Sequence, residues 1–282
     1  MQTSTLEPVF DDRPMAEMFD WEQRNAAFAG LRAANANLLL DRLEGICPPP
    51  RRLLDVGCAE GWFLRKARER GYEVHGLEPD TRMAQTADKV LNIRAGFFPD
   101  ALGQQERFDV ITFNDVFEHL PDVRAAMAAC AKLLTDEGVL VINLPNAHGG
   151  LYRISRLAAR LGFAGPFERL WQAGYPSPHF SYFTPGTLGR LAQSARFVEC
   201  DRFALPTVNR ADLWDRIRYD RTQSLAYCVA AWTAVMSAMP LLAMMPSDIF
   251  VQMFRKDGAP SARGRRAAQA GNDRKAKRHR AS

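Results

Sequence analysis

The chain lacks the features that would mark it for export, for a structural metal or for a disulfide scaffold. Its five cysteines, Cys47, Cys58, Cys130, Cys200 and Cys228, form no C-x-x-C pair and no Cys/His spacing suited to zinc, so they are expected to be reduced thiols and no metal site is expected. The first fifteen residues, MQTSTLEPVFDDRPM, hold three acids and no apolar stretch, which excludes a signal peptide there and sets the expectation of a cytoplasmic protein. No G-x-G-x-x-G dinucleotide fingerprint is present, which disfavours an NAD-dependent oxidoreductase. No internal repeat is visible either.

What is there is an ordinary globular composition, 47% hydrophobic and 24% charged in 282 residues, which excludes wholesale disorder. The net charge of +5 is unevenly placed. Residues 258–282 carry eight Lys/Arg against the single acid Asp273, so the rest of the chain is slightly acidic. That tail, GAPSARGRRAAQAGNDRKAKRHRAS, has no large apolar residue to anchor it and is expected to be disordered. It can solubilise the protein, meet anionic lipid headgroups or touch RNA.

Three parts are expected along the chain. Residues 1–50 read as an N-terminal helical cap, in which 14–45 carry apolar residues at helical spacing up to Gly45 and Pro48-Pro49-Pro50. From 51 to 257, short apolar runs alternate with helices: RLLDV, a helix over 62–70, YEVHGL, a helix over 81–91, NIRAG, FDVITF, a helix over 123–134, and VLVINL. Such alternation means βαβ units and a parallel, doubly wound α/β sheet. Two insertions interrupt it, at about 145–183 and 206–247, with a helix (TPGTLGRLAQSA) and a strand (FVECDRFAL) between them and a final strand DIFVQMFRK. The first insertion is rich in Gly, Pro and aromatics and reads as a lid or recognition element.

Chemistry concentrates in Asp55-Val56-Gly57-Cys58-Ala59-Glu60-Gly61, a turn between a strand and a helix. Glycines there let a ligand approach the backbone, and the following helix N-terminus is expected to offer free N–H groups to a nucleotide-type cofactor. Asp55 suits a cofactor that bears positive charge. Glu78, at the end of the next strand, can accept both hydroxyls of a ribose.

On these residues the chain resembles the class I S-adenosylmethionine-dependent methyltransferases, and within them the subgroup of ubiquinone-biosynthesis-type O-methyltransferases and related small-molecule and glycan methyltransferases. LLDVGCAEGWFL, VHGLEPD, FDVITFNDVFEHLPD and LLTDEGVLVINLPN are similar to the family's first, second, fourth and fifth strand motifs, and PHFSYFTPGTLGRLAQSARF to a segment typical of the subgroup. Ala59 and Arg196 stand where relatives commonly have Gly. The resemblance implies a Rossmann-like seven-stranded sheet with its last strand antiparallel and S-adenosyl-L-methionine (SAM) as cofactor. The cofactor residues it implies are Asp55, Gly57, Cys58, Ala59, Gly61, Glu78, Pro79, Phe97 and Asn114. Phe97 stands where many relatives place an adenine-binding acid and is expected to pack on the ring.

The resemblance also implies methyl transfer to a small-molecule or lipid-linked acceptor, most simply at oxygen. A poorly acidic hydroxyl needs a base. His119 in EHLPD and His179 in the post-insertion segment are the candidates, because His titrates near neutrality. A non-catalytic SAM-binding scaffold is the rival reading; nucleic-acid methylation is disfavoured by the acidic body and the absence of an Asn/Asp-Pro-Pro-aromatic motif.

No charged residue lies between Arg221 and Asp248, and LAYCVAAWTAVMSAMPLLAMM is long enough to span a membrane. The flanking strands must nevertheless join one sheet, and Pro240 divides the run, so two shorter helices are expected. They would meet a membrane surface peripherally, with Arg216, Arg218, Arg221 and the basic tail, or cover an apolar acceptor, without crossing a bilayer. Burial as a core helix is the alternative.

Overall fold

The central apolar runs become strands here because they are covered on both faces. The computed structural model describes residues 2–3, 21–87, 89–172, 177–208, 210–218 and 224–259. Helix α1 (Trp21–Glu44) leads into β1 (Arg52–Val56), α2 (Trp62–Glu69), β2 (Glu73–Glu78), α3 (Thr81–Thr86), β3 (Ile93–Ala95) and β4 (Phe108–Asn114). Then follow α4 (Val123–Leu133), β5 (Leu134–Pro145), α5 (Gly150–Arg160), α6 (Gly165–Leu170), α7 (Pro185–Ser194), β6 (Phe197–Ala204), α8 (Leu213–Arg218), α9 (Leu225–Ala243) and β7 (Ile249–Lys256).

The seven strands lie in the order β3-β2-β1-β4-β5-β7-β6. β1 to β5 pair in parallel, and β7 enters antiparallel between β5 and β6. This is the doubly wound sheet with an antiparallel last strand that the sequence implies. Strand pleating sends successive residues to opposite faces. Leu53, Val110 and Val141 join a core with Leu39, Leu40 and Leu43 of α1 and Phe63 and Leu64 of α2. Their neighbours Leu54, Ile111 and Leu140 join the opposite core with Met127 of α4, Leu188 of α7, Phe117 and Phe183.

Three expectations need correction. The helix expected over 81–91 stops at Thr86, because Ala87 adopts an extended backbone, and resumes as one 3₁₀ turn at Lys89–Leu91. The apolar run forms one helix, α9, with Pro240 inside its last turn, and not two; the proline lies three residues before Ala243 and removes one backbone hydrogen bond, to Met236 O, without ending the helix. It is no core helix either, since only 6% of Leu225–Leu242 is buried. Residues 260–282, and with them nearly all of the basic tail, lie outside the described residues, as do 4–20 of the expected cap.

Both positions where the resembling family has Gly are left-handed in this chain, Ala59 at φ 48° and Arg196 at φ 60°. For non-glycine residues such a backbone costs roughly 1–2 kcal/mol, so the strain is tolerated on the packing around it. Elsewhere local rules are obeyed. Asp80 and Asp122 cap α3 and α4, and Thr184 caps α7 in a reciprocal box with Thr187: Thr187 N–H donates to Thr184 Oγ1 (3.2 Å) and Thr184 N–H to Thr187 Oγ1 (2.9 Å). We expect Thr184→Ala to lower stability by about 1 kcal/mol, read as a reduced urea midpoint at unchanged slope.

Candidate active site

Asp55 sits one residue before the end of β1, with Gly76 of β2 and Thr112 of β4 directly beside it. Thr112 Oγ1 (2.6 Å) and Asn114 Nδ2 (3.0 Å) both donate to its Oδ1. The side chain is buried and neither donor is charged, so burial chiefly, with a further push from the Glu78 charge, raises its pKa to about 7.

Glu78 closes β2 and is also buried. The backbone N–H of Ala59 donates to its Oε2 (2.8 Å) and that of Asp80 to its Oε1 (2.9 Å), with Pro79 between them. Burial again raises its pKa. Glu78 therefore ties the β1–α2 loop to the end of the neighbouring strand.

The loop itself is tightly determined. Gly57 has φ 69°, and a Cβ there would lie 2.6 Å from Val116 Cγ2; Gly61 has φ 77°, and a Cβ there would lie 2.6 Å from Leu91 Cδ1. Ahead of the α2 N-terminus, Gly57 and Cys58 N–H donate to Leu77 O, Ala59 N–H to Glu78 and Gly61 N–H to Cys58 O. The backbone at this turn is spent on shaping the loop, and the polar groups left facing the strand ends are carboxylates. Cys58 is buried, and burial pushes its thiol well up from the ordinary range, so it packs rather than reacts. Phe97 follows β3 in the loop where Gly96 N–H donates to Glu78 O (2.9 Å), and it is half exposed. The structure thus gathers Asp55, Gly57, Cys58, Ala59, Gly61, Glu78, Pro79, Phe97 and Asn114 at the carboxyl ends of adjacent strands β1, β2, β3 and β4.

Val116, which covers Gly57, leads into the 3₁₀ turn Phe117–His119. His119 Nδ1 lies 2.9 Å from Pro178 O and 3.2 Å from Ser177 Oγ. A carbonyl only accepts, so the ring N–H is on Nδ1 and Nε2 keeps its lone pair. Burial holds the His119 pKa below the ordinary histidine range, so the ring is neutral at pH 7.

His179 is brought to it. The two rings are 4.6 Å apart, and His179, itself buried, is pushed down to about 3 by burial and then by the His119 charge. Glu118 was not singled out by the sequence, although an acid adjoining His119 just past a strand is a usable signal. It is 1% exposed, and neither carboxylate oxygen has a hydrogen-bond partner among the described residues; the same holds for His179 Nδ1 and Trp171 Nε1. Burial, then repulsion from Asp115, holds the Glu118 carboxyl well above its ordinary range. Glu118, His119 and His179 each offer a ligand atom within 4.8 Å of the others, so the set from which no metal was expected has the donor types of a divalent cation site. An aromatic wall of Tyr152, Phe167, Trp171 and Tyr182 from the first insertion stands beside His179.

A family model described as a methyltransferase domain matches residues 22–198. Among curated proteins, the chain is 28% identical over 167 residues to a ubiquinone biosynthesis O-methyltransferase of Psychrobacter cryohalolentis, covering 55% of this chain and 62% of that protein. To the ubiquinone biosynthesis O-methyltransferase of Rhodopseudomonas palustris it is 23% identical over 170 residues, covering 58% and 65%. The matches therefore span less than two thirds of those relatives. Among solved structures, a SAM-dependent methyltransferase from Thermotoga maritima superposes with TM-score 0.55 at 15% identity, covering 87% of this chain and 98% of that one. Haemonchus contortus phosphoethanolamine N-methyltransferase 2 in complex with S-adenosyl-L-methionine gives 0.52 at 16% identity, covering 78% and 52%. These two carry the fold.

Proposed function

The chain belongs to the methyltransferase-domain family, and on that premise we propose that it is a SAM-dependent methyltransferase that methylates a hydroxyl oxygen of an apolar, small or lipid-linked acceptor. The cofactor side of the site is assigned to Asp55, Gly57, Cys58, Ala59, Gly61, Glu78, Pro79, Phe97 and Asn114. Its donor set fits: two buried carboxylates repel each other with no cationic side chain bonded to either among the described residues, and a cofactor bearing positive charge relieves both. SAM supplies a methyl group already activated by a sulfonium, so the protein's main task is to hold the acceptor in line with it.

The observation that carries transfer to oxygen is the fixed tautomer of His119. Pro178 O holds the ring by Nδ1–H, leaving Nε2 neutral and able to take the acceptor's hydroxyl proton. His179 packs against the ring and helps keep it unprotonated. The aromatic wall supports an apolar acceptor, and the curated relatives are named as O-methyltransferases.

The test is transfer of isotopically labelled methyl from SAM into a cell extract, followed by separation into organic and aqueous fractions. Label is expected in the organic fraction as a methyl bonded to oxygen, identified by mass spectrometry and NMR of the purified product. A methylated nitrogen, or label confined to nucleic acid, overturns the reading.

The same geometry makes SAM affinity pH-dependent. Asp55 is raised from 3.8 to about 7, so above that pH it is ionised and attracts a cation, whereas below it the carboxyl is neutral. Affinity should therefore fall as pH drops through about 7, approaching tenfold per unit at the limit. For the free protein the raised pKa works the other way: its stabilising contribution is full below 3.8 and is lost as pH rises through about 7, and ligand restores it. Calorimetric titration across this range should show the slope in the wild type and a weak, flat response in Asp55→Asn.

A further inference from the structure

The first insertion contains a helix whose apolar stripe faces the wrong way for a soluble domain. At 3.6 residues per turn, Leu151, Ile154, Leu157 and Leu161 share one side of α5 and its end. They are 47%, 52%, 58% and 70% exposed. The sector turned to the protein body is Tyr152 and Ser155, both buried. Between these lies a third sector, Arg153, Arg156 and Arg160, all exposed and forming no ion pair with any described residue. An ordinary surface helix buries its apolar stripe and shows its charges. This one shows both.

α9 repeats the anomaly without charge. It is 19 residues long, carries no acidic or basic side chain, and is held to the body on one side only: Cys228 is buried, and Trp232 meets Trp214 of α8 edge to face at 6.5 Å. Leu225, Tyr227, Val229, Leu241 and the following Met244 are open to solvent. The N-terminus of α5 abuts the connection that follows α9. Gly150 N–H donates to Pro246 O (3.1 Å), Leu151 N–H to Asp248 Oδ1 (2.7 Å), and a Cβ on Gly150 would lie 2.7 Å from Met245 Cε.

Topology fixes where this surface lies. β6 runs parallel to β5, each being antiparallel to β7, so both insertions leave the sheet at its carboxyl edge, the edge that carries Glu78, Asn114 and His119. The same topology forbids α9 from crossing a bilayer, because Ala204 and Phe250 on either side of the insertion are paired in one sheet and α9 rests along α8. An uncharged, solvent-open helix, joined through its following connection to an amphipathic helix with an arginine sector, offers what a bilayer needs in both layers, leucines for the acyl chains and guanidinium groups for anionic headgroups. We propose that α5 and α9 together form a docking face for an anionic membrane leaflet, placed so that an apolar acceptor enters the site from the bilayer.

The arginines foreseen for this role from sequence are not the ones the fold offers. Arg216 donates to Thr207 O (2.7 Å) and lies over Phe28, Arg218 lies over Trp214, and Arg221 is outside the described residues.

This inference deepens the reading of an apolar acceptor, and it is tested without turnover so that either can fail alone. The full chain is sedimented with vesicles of phosphatidylcholine, with and without a minority of phosphatidylglycerol, and SAM affinity serves as the check that each variant is folded. Binding should require the anionic lipid. It should weaken at least tenfold in Ile154→Glu/Leu157→Glu, in Val229→Glu and in Arg153→Glu/Arg156→Glu, all at exposed positions. Unchanged sedimentation of these variants overturns the proposal. So does loss of binding on removing residues 260–282 alone, which would move the lipid contact to the tail. Self-association abolished by the same variants, with no vesicle binding, would make a second copy of the chain the occupant and also overturn it.

Discussion

Glu78→Ala should weaken SAM binding by roughly tenfold or more. The carboxylate is buried at the end of β2, and its two oxygens accept the Ala59 and Asp80 N–H groups while keeping lone pairs for hydroxyls of the cofactor. Hydrogen bonds to a charged group contribute about 1.5–3 kcal/mol each, and about 1.4 kcal/mol is tenfold in affinity. The substitution also releases the loop. Ala59 is held at φ 48° with Glu78 accepting its N–H, so the ligand would pay to order what the carboxylate now holds. Glu78→Gln keeps one carbonyl acceptor but turns an amine toward the second N–H, so an intermediate loss is expected. Calorimetry gives both numbers, and unchanged affinity in Glu78→Ala, with the melting temperature preserved, removes Glu78 from the cofactor site.

The cofactor half of this site was readable in the sequence because each of its parts leaves a linear trace. β1, β4 and β5 are buried on both faces, so RLLDV, FDVITF and VLVINL appear as mainly apolar runs, with Asp55 near the end of the first and Glu78 at the end of the neighbouring strand. The turn needs left-handed backbone at Gly57 and Gly61, and glycine marks such places. How the loop spends its N–H groups left no such trace, since that depends on Leu77 O and Glu78 arriving from the neighbouring strand.

The acceptor half was only partly legible. His119 and His179 stood out by residue type, but sixty residues of chain separate them, and their ring contact depends on how the first insertion folds back over the 3₁₀ turn. Glu118 was hidden because an acid in EHLPD looks solvated; its burial comes from Phe180 N–H bonding to Glu118 O, which pulls the segment under the insertion. The apolar run of α9 was visible, whereas α5 was hidden in a segment marked by Gly, Pro and aromatics, and sequence does not tell which way an apolar face points. That orientation is set by Tyr152 and Trp232, which fasten the other side.

His119→Ala should lower the single-turnover rate of methyl transfer by about 10²–10⁴-fold, the usual contribution of a positioned base, while leaving SAM affinity within twofold or so of wild type. The separation follows from placement. Asp55, Asn114 and Glu78 bond one another's strands and the glycine loop, whereas the His119 side chain bonds, among the described residues, to Pro178 and Ser177 of the first insertion. The pH profile carries a second signature. Burial lowers the His119 pKa, so the neutral base persists into mildly acidic solution and the rate should fall only below the ordinary histidine range; in His119→Ala that limb should vanish. His179→Ala opens space beside the ring and lessens the burial that lowers the His119 pKa, so a smaller loss with the acid limb moved to higher pH is expected. A wild-type rate for His119→Ala with the true acceptor would leave His119 as a strut for the insertion. Loss of wild-type activity on chelation, restored by one divalent cation, would instead make His119 a ligand beside Glu118 and His179, whose donor atoms lie close enough to share an ion.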